Sequence, residues 1–261
     1  MKIDNNFEKV REYWNSRADL GQWAGSKDVI AKQLEIEAIA SYVKDGMKIL
    51  EIGCGNGITA IELAARFNVN VTAFDYAEEM ITSARKYAEK ATLKGSVNFA
   101  VGDVLSMPDY NNRFDLIYTE RVLINLPDWE AQSRAVVDIT SLLANGGCYV
   151  MCENSQEGLD NLNQLRECAG LDIISPPWHN EYFLDYKLAQ LSIPEVVLET
   201  VNVYSSTYYF LSRVVNAALA VREGKDPAYD SEINQLALQL PSIGDCGQGR
   251  IWLWRRNEEN M

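Results

Sequence analysis

Lys48-Ile-Leu-Glu-Ile-Gly-Cys-Gly-Asn-Gly57 sets the reading of the whole chain. Ile49, Leu50 and Ile52 make a short apolar run of the kind that forms a buried strand, and it leads directly into glycines at 53, 55 and 57. A helical pattern follows in Ile58, Ile61, Leu63, Ala64 and Ala65. Strand, glycine turn, helix is a nucleotide-binding arrangement, because a backbone without Cβ atoms lets a ligand come close. The spacing is G-x-G-x-G. The dinucleotide fingerprint G-x-G-x-x-G would need a glycine where Ile58 stands, which speaks against a dinucleotide oxidoreductase.

Downstream of this turn, strands and helices alternate. Strands are expected at 69–74, 97–101, 114–118 and 148–152, with helices at 78–91 and 130–143. That order means a parallel sheet covered by helices on both faces, with ligands at the carboxyl ends of the strands. Gly53, Asp75, Asp103, Glu120 and Glu153 all fall at such ends. Upstream, Phe7, Val10, Tyr13 and Trp14 recur at helical spacing, then a looser segment runs from Arg17 to Gly25, and a second amphipathic pattern starts near Asp28. Regularity breaks between Glu153 and Ile193, where Ser175-Pro-Pro-Trp-His-Asn-Glu-Tyr-Phe183 suggests a lid or binding loop. A strand at 196–203, helices at 207–221 and 232–240, and a last strand at 250–254 complete the chain. The expected division is a helical cap at 1–45, a cofactor-binding core at 46–153, a substrate lid or insertion at 154–193, and a C-terminal part at 194–261 that completes the sheet.

Composition narrows the function. The 261 residues carry a net charge of −13, which repels nucleic-acid phosphates and anionic membranes. No apolar run approaches the ~20 residues that span a bilayer, and the polar start is unlike a secretory signal. Five cysteines without a C-x-x-C pair, and a single histidine, argue against a zinc site and for reduced, buried thiols in a cytoplasmic protein. No metal is expected.

Asp75 lies twenty residues after Gly55, a spacing that suits a carboxylate accepting two ribose hydroxyls; capping the next helix is the alternative. Asp103 follows a glycine at the next strand end, where it can accept from an adenine amino group or simply open a turn.

Together Leu50-Glu-Ile-Gly-Cys-Gly-Asn-Gly57, Phe74-Asp75, Gly102-Asp103, Phe114-Asp115-Leu-Ile-Tyr118 and the late Ile251-Trp-Leu-Trp254 resemble the class I S-adenosylmethionine-dependent methyltransferases. The resemblance implies an α/β fold: a Rossmann-like class I methyltransferase sheet with an N-terminal helical cap and an insertion after strand five. It implies S-adenosylmethionine as cofactor, its amino-acid end on Gly53, Cys54, Gly55 and Asn56, with Glu51 supporting the turn by accepting backbone N–H groups. Asp75 would take the ribose, Asp103 would lie near the adenine, Tyr76 and Met80 against the adenosine, and Val104 against the base. Glu120, at the end of the fourth strand, completes the cofactor set. Tyr13 and Arg17, on a leading helix, would cover the cofactor, Arg17 meeting its carboxylate; ordinary core packing is the alternative for Tyr13.

The segment 118–129 faces both cofactor and acceptor in this family, so Arg121 and Asn125 become candidate substrate contacts. For Arg121 the alternative is that it and Glu120 only brace the loop. His179, the single histidine, is a candidate base for a hydroxyl acceptor, with Glu153 its rival. Trp178, Tyr182, Tyr208 and Tyr209 are candidates to stack on a sugar or close off water, with plain packing the alternative. The Arg121–Leu126 run resembles a small-molecule subgroup associated with surface-carbohydrate precursors. The expected function is methylation of a small-molecule hydroxyl, on a sugar or nucleotide-sugar. Alternatives are N- or C-methylation of a small metabolite, or a non-catalytic S-adenosylmethionine-binding subunit. The expected partner is a small-molecule acceptor, with neither nucleic acid nor membrane; a homodimer is allowed.

Overall fold

A computed structural model describes residues 5–18, 20, 25–107, 110 and 113–258. The polar start at 1–4 and most of the loose segment expected after Arg17 lie outside the described residues. Seven strands form one sheet: β1 Lys48–Ile52, β2 Asn70–Asp75, β3 Ser96–Val101, β4 Phe114–Glu120, β5 Leu143–Asn154, β6 Val196–Asn202 and β7 Gly249–Arg256. Their order is β3-β2-β1-β4-β5-β7-β6. The first five are parallel, and β7 runs antiparallel between β5 and β6. The chain moves outward from β1 to β3, then returns to place β4 on the other side of β1. Ile52 therefore pairs with both Phe74 and Thr119, and the crevice of a doubly wound sheet opens at that reversal.

Alternation along the strands builds two cores. Leu50, Ile52, Tyr149, Met151, Trp252 and Trp254 point to one face, where they meet α5 (Trp129–Ser141) and α6 (Gln156–Cys168). Ile49, Leu116, Tyr118, Val150, Cys152 and Leu253 point to the other, under α3 (Ile58–Arg66) and α4 (Glu78–Ala88). Cys54, Cys148 and Cys152 are buried free thiols. Two N-terminal helices precede the sheet, α1 (Asn5–Arg17) and α2 (Val29–Ala40); α2 starts where the Asp28 side chain accepts the Ala31 N–H.

The expected irregularity after Glu153 is only partial. Ser155 accepts the Gly158 N–H and starts α6, whose sole apolar stripe is Leu159, Leu162 and Leu165. Polar and charged residues make up most of the rest of that helix, so the hydrophobic period is too thin to read from sequence. A loop from 169 to 184 then carries the Pro-Pro-Trp-His segment, and α7 (Asp185–Gln190) follows. The helix expected at 207–221 forms as α8 (Ser206–Phe210), a π-helical turn (Leu211–Asn216) and α9 (Ala217–Arg222); α10 is Glu232–Ala237. Among the described residues no helix is long and apolar enough to cross a membrane.

Candidate active site

The carboxyl ends of β1, β2 and β4 open into a cleft of about 500 Å³. Its floor at one end is the glycine turn. Gly53 and Cys54 donate their N–H groups to the Phe74 carbonyl at 2.8 and 3.0 Å, which pins the turn to the end of β2. Gly53 has φ +69°, and a Cβ there would strike Val122 at 2.4 Å. Gly55 has φ +51°, yet a Cβ there would meet no protein atom within 4 Å. The protein keeps Gly53 for its own packing and Gly55 for the open space in front of it.

Asp75 closes this end. Its Oδ2 accepts the Gly55 N–H and its Oδ1 the Ala77 N–H, both at 2.8 Å. Burial pushes its carboxyl up to about 6, against those two backbone donors. Each oxygen retains a lone pair for a further donor. Tyr76, Met80, Asp103 and Val104 line the same end, as do Cys54 and Asn56. Asp103 also accepts the Leu105 N–H at 2.9 Å, the turn role considered for it.

Glu51 lines the cleft but differs from expectation. Among the described residues it accepts no turn N–H in the resolved bonding; it pairs across the strands with Tyr118, and its buried Oε2 has no hydrogen-bond partner. Burial, reinforced by Glu120, pushes it up to about 8. Glu120 likewise lines the cleft, but its oxygens are taken by the Lys32 ammonium and by the Thr59 hydroxyl at 2.7 Å. Burial opposes its ionisation, and the Lys32 and Arg121 cations outweigh burial and hold its carboxyl down.

The clamp expected of Arg121 is not free. Its Nε lies 3.1 Å from Glu35 and its guanidinium 3.7 Å from Glu120, on a backbone with φ +56°. These pairs brace the loop, the alternative considered for it, while Arg121 also lines the cleft. Asn125 is also spent within the protein. It donates to the Arg121 and Val122 carbonyls at 2.9 and 3.1 Å and accepts from Asn180 at 3.1 Å and from the Trp14 indole at 3.4 Å. Asn125 therefore ties α1 and the 175–183 loop to the end of β4.

Glu153 is not a base in the cleft. It is 1% exposed, and it accepts the N–H groups of Val122, Leu123 and Ile124 at 3.1, 3.0 and 3.3 Å. Burial raises it to about 7 against those donors. The carboxylate caps the short turn Leu123–Asn125 and lies outside the cleft wall. Two aromatic candidates also lie off the cleft wall, one exposed and one buried. Trp178 is 61% exposed and only edges Tyr13 and His179. Tyr208 is buried, donating its hydroxyl to Asp28 at 2.6 Å, while its neighbour Tyr209 lines the cleft. Tyr182 does line it, accepting from Gln248 at 3.3 Å.

His179 stands on the cleft wall, its ring 4.7 Å from Tyr13 and 5.8 Å from Trp14. Burial lowers its pKa, and Arg17 lowers it further. Tyr13 and Trp14 line the cleft; Arg17 stacks on Tyr13 at 5.4 Å and is not part of the wall. Sequence reasoning missed Asp28, Lys32, Glu35 and Arg213, all of which line the cleft. Their signal is weak. Asp28, Lys32 and Glu35 read as an N-cap and a polar helix face, and Arg213 as one cation in an amphipathic helix. Among the described residues no cluster of His, Cys, Asp or Glu could hold a metal.

The fold and site define a class: a doubly wound sheet that presents an open glycine turn and a strand-end carboxylate to an adenosine-like cofactor. A family model described as methyltransferase domain matches residues 43–189, and the chain belongs to that family, the class I S-adenosylmethionine-dependent methyltransferases. S-adenosylmethionine is the methyl donor of that family. A sterol 24-C-methyltransferase of Gibberella zeae is 28% identical over 166 residues, 58% of this chain and 43% of that protein. The methyltransferase GfsG of Streptomyces halstedii is 25% identical over 198 residues, 66% of this chain and 71% of its own. The chain spans less than half the length of the first sterol methyltransferases it matches. In fold it resembles magnesium protoporphyrin IX methyltransferase from Synechocystis PCC 6803 with bound SAH, with a TM-score of 0.63 and 16% identity over 96% of this chain and 99% of that one.

Proposed function

We propose that this protein transfers the methyl group of S-adenosylmethionine to a hydroxyl of a small, sugar-like acceptor. The residues of the cleft fit the cofactor. Gly55 leaves room where a side chain would project, Asp75 keeps acceptor capacity for ribose hydroxyls, and Glu51 holds an unpartnered carboxyl oxygen at the same end. When bound, the cofactor supplies a methyl carbon on a cationic sulfur, and nearby carboxylates favour that charge. The chain's part is alignment and exclusion of water, through α1 and the 175–183 loop drawn together at Asn125.

One observation carries the hydroxyl reading: the single histidine stands on the cleft wall with its pKa lowered by burial. A neutral imidazole is the form that takes a proton from a hydroxyl. The aromatic and amide side chains beside it, Asn154, Asn180, Tyr182, Tyr209 and Gln248, suit a polyhydroxylated molecule. A second reading, C-methylation of a sterol or other lipid, draws on the names of the relatives; these polar side chains weigh against it. An amine acceptor reacts as its free base and needs no histidine. Full-length protein is incubated with labelled S-adenosylmethionine and small-molecule extracts. His179→Ala should lower transfer by about 10²-fold or more. An unchanged rate would remove the hydroxyl reading, and labelling of no acceptor would leave a cofactor-binding subunit.

A further inference from the structure

The π-helical turn Leu211–Asn216 carries one side chain into the acceptor end of the cleft, Arg213. A π turn inserts an extra residue and re-aims what it carries, and such turns recur at functional sites. The guanidinium is surrounded by aromatic rings: Tyr229 at 4.7 Å, Tyr209 at 5.3 Å and Tyr208 at 5.8 Å. Its hydrogen bonds go to Ser212 Oγ and Asp28 Oδ2. A guanidinium has five N–H donors, so several remain for a ligand.

Asp28 is the ion-pair partner of Arg213 and orients the fork. Its Oδ1 already accepts the Ala31 N–H at 3.0 Å and the Tyr208 hydroxyl at 2.6 Å, and its Oδ2 meets Arg213. A second cation stands close behind, because Arg166 of α6 donates to the Arg213 carbonyl. Arg166 therefore holds the backbone of the π turn, while the Arg213 guanidinium and Asp28 form a single ion pair. A planar fork held by stacked rings is preorganised for a carboxylate or phosphate, since little side-chain freedom is lost on binding.

We propose that Arg213 is a specificity-determining residue of this site and binds an anionic oxygen group, carboxylate or phosphate, of the acceptor. This rests on the acceptor reading given above. It also separates a charged small molecule from a sterol, which has no anionic oxygen for the remaining N–H donors of the fork.

The test uses the full chain saturated with S-adenosylhomocysteine, titrated by calorimetry with inorganic phosphate and, separately, with acetate. One of the two anions should bind the wild type, and which one binds distinguishes phosphate from carboxylate. Arg213→Met should weaken that binding roughly tenfold or more while the S-adenosylhomocysteine affinity stays within about twofold. Arg213→Lys keeps the charge without the fork and should fall between. Failure of both anions to bind the wild type, or equal binding to Arg213→Met, overturns the inference. If Arg213→Met does not fold, wild-type anion affinity in Arg213→Lys overturns it instead. Loss of S-adenosylhomocysteine binding by the wild type itself would remove the function reading rather than this one.

Discussion

Asp75 shows how much one side chain decides. Burial holds its pKa at about 6, above the ordinary carboxylate value of 3.8, although two backbone N–H groups favour the anion. An ionised carboxylate is needed to accept from both ribose hydroxyls, so below that pKa a proton must leave before the cofactor binds. S-adenosylmethionine affinity should thus fall by about tenfold per pH unit below 6 and be level above it. Calorimetry between pH 5 and pH 8 reads this slope, and Asp75→Asn should abolish it along with much of the affinity. A flat profile in the wild type would place the ribose elsewhere. At this scale the strand-end carboxylate was legible in sequence, because Asp75 follows the glycine turn at a fixed distance. Glu153 stands at an equivalent strand end and does something else. Which carboxylate faces the cleft and which caps the turn at Val122, Leu123 and Ile124 depends on the turn's fold, which no spacing records.

At the level of elements, the β1 to β5 alternation was readable because parallel strands buried on both faces are near-continuous apolar runs. Helix α6 was not, since only three leucines mark it among Asn, Gln and Glu. The π turn was hidden for a different reason: its residues have ordinary helical propensity, and the widening comes from packing. The contact between α1 and the rest of the molecule is equally invisible in sequence. It combines the packing of Trp14 and Ala18 on Ala77 and Met80 of the α4 region with Asn125, which joins Trp14, Asn180 and two carbonyls. Asn125→Leu keeps the branched side-chain shape and loses those bonds, leaving the Arg121 carbonyl without its amide donor, while the Val122 carbonyl keeps the backbone N–H of residue 125 at 3.0 Å. Stability should drop by about 2 kcal/mol or more. Limited proteolysis within residues 5–18 should speed up by roughly tenfold, as the local opening of α1 becomes easier. Unchanged cleavage would mean that α1 is held by other contacts, such as the Tyr13–His179 stack.

Over the whole molecule, the sheet order and the cleft serve one purpose. The reversal between β1 and β4 leaves a crevice, the glycine turn forms one end, and α1, α2 and the 175–183 loop roof the other. Cofactor chemistry was legible from residues 48–104, which lie close together in the chain. Acceptor chemistry was not, because its wall is assembled from α2, the post-β5 loop and the π turn, segments some 180 residues apart, as the Asp28–Tyr208 bond shows. The central claim is that the open space before Gly55 is where S-adenosylmethionine sits. Gly55→Asp tests it most directly, because the protein itself leaves the new Cβ free of contacts within 4 Å and the chain should still fold. A left-handed backbone costs a non-glycine residue ~1–2 kcal/mol, well within what a domain tolerates. Calorimetric titration with S-adenosylmethionine should show one equivalent bound by the wild type and an affinity lower by about 100-fold or more in Gly55→Asp. Equal affinity in the two proteins would contradict it.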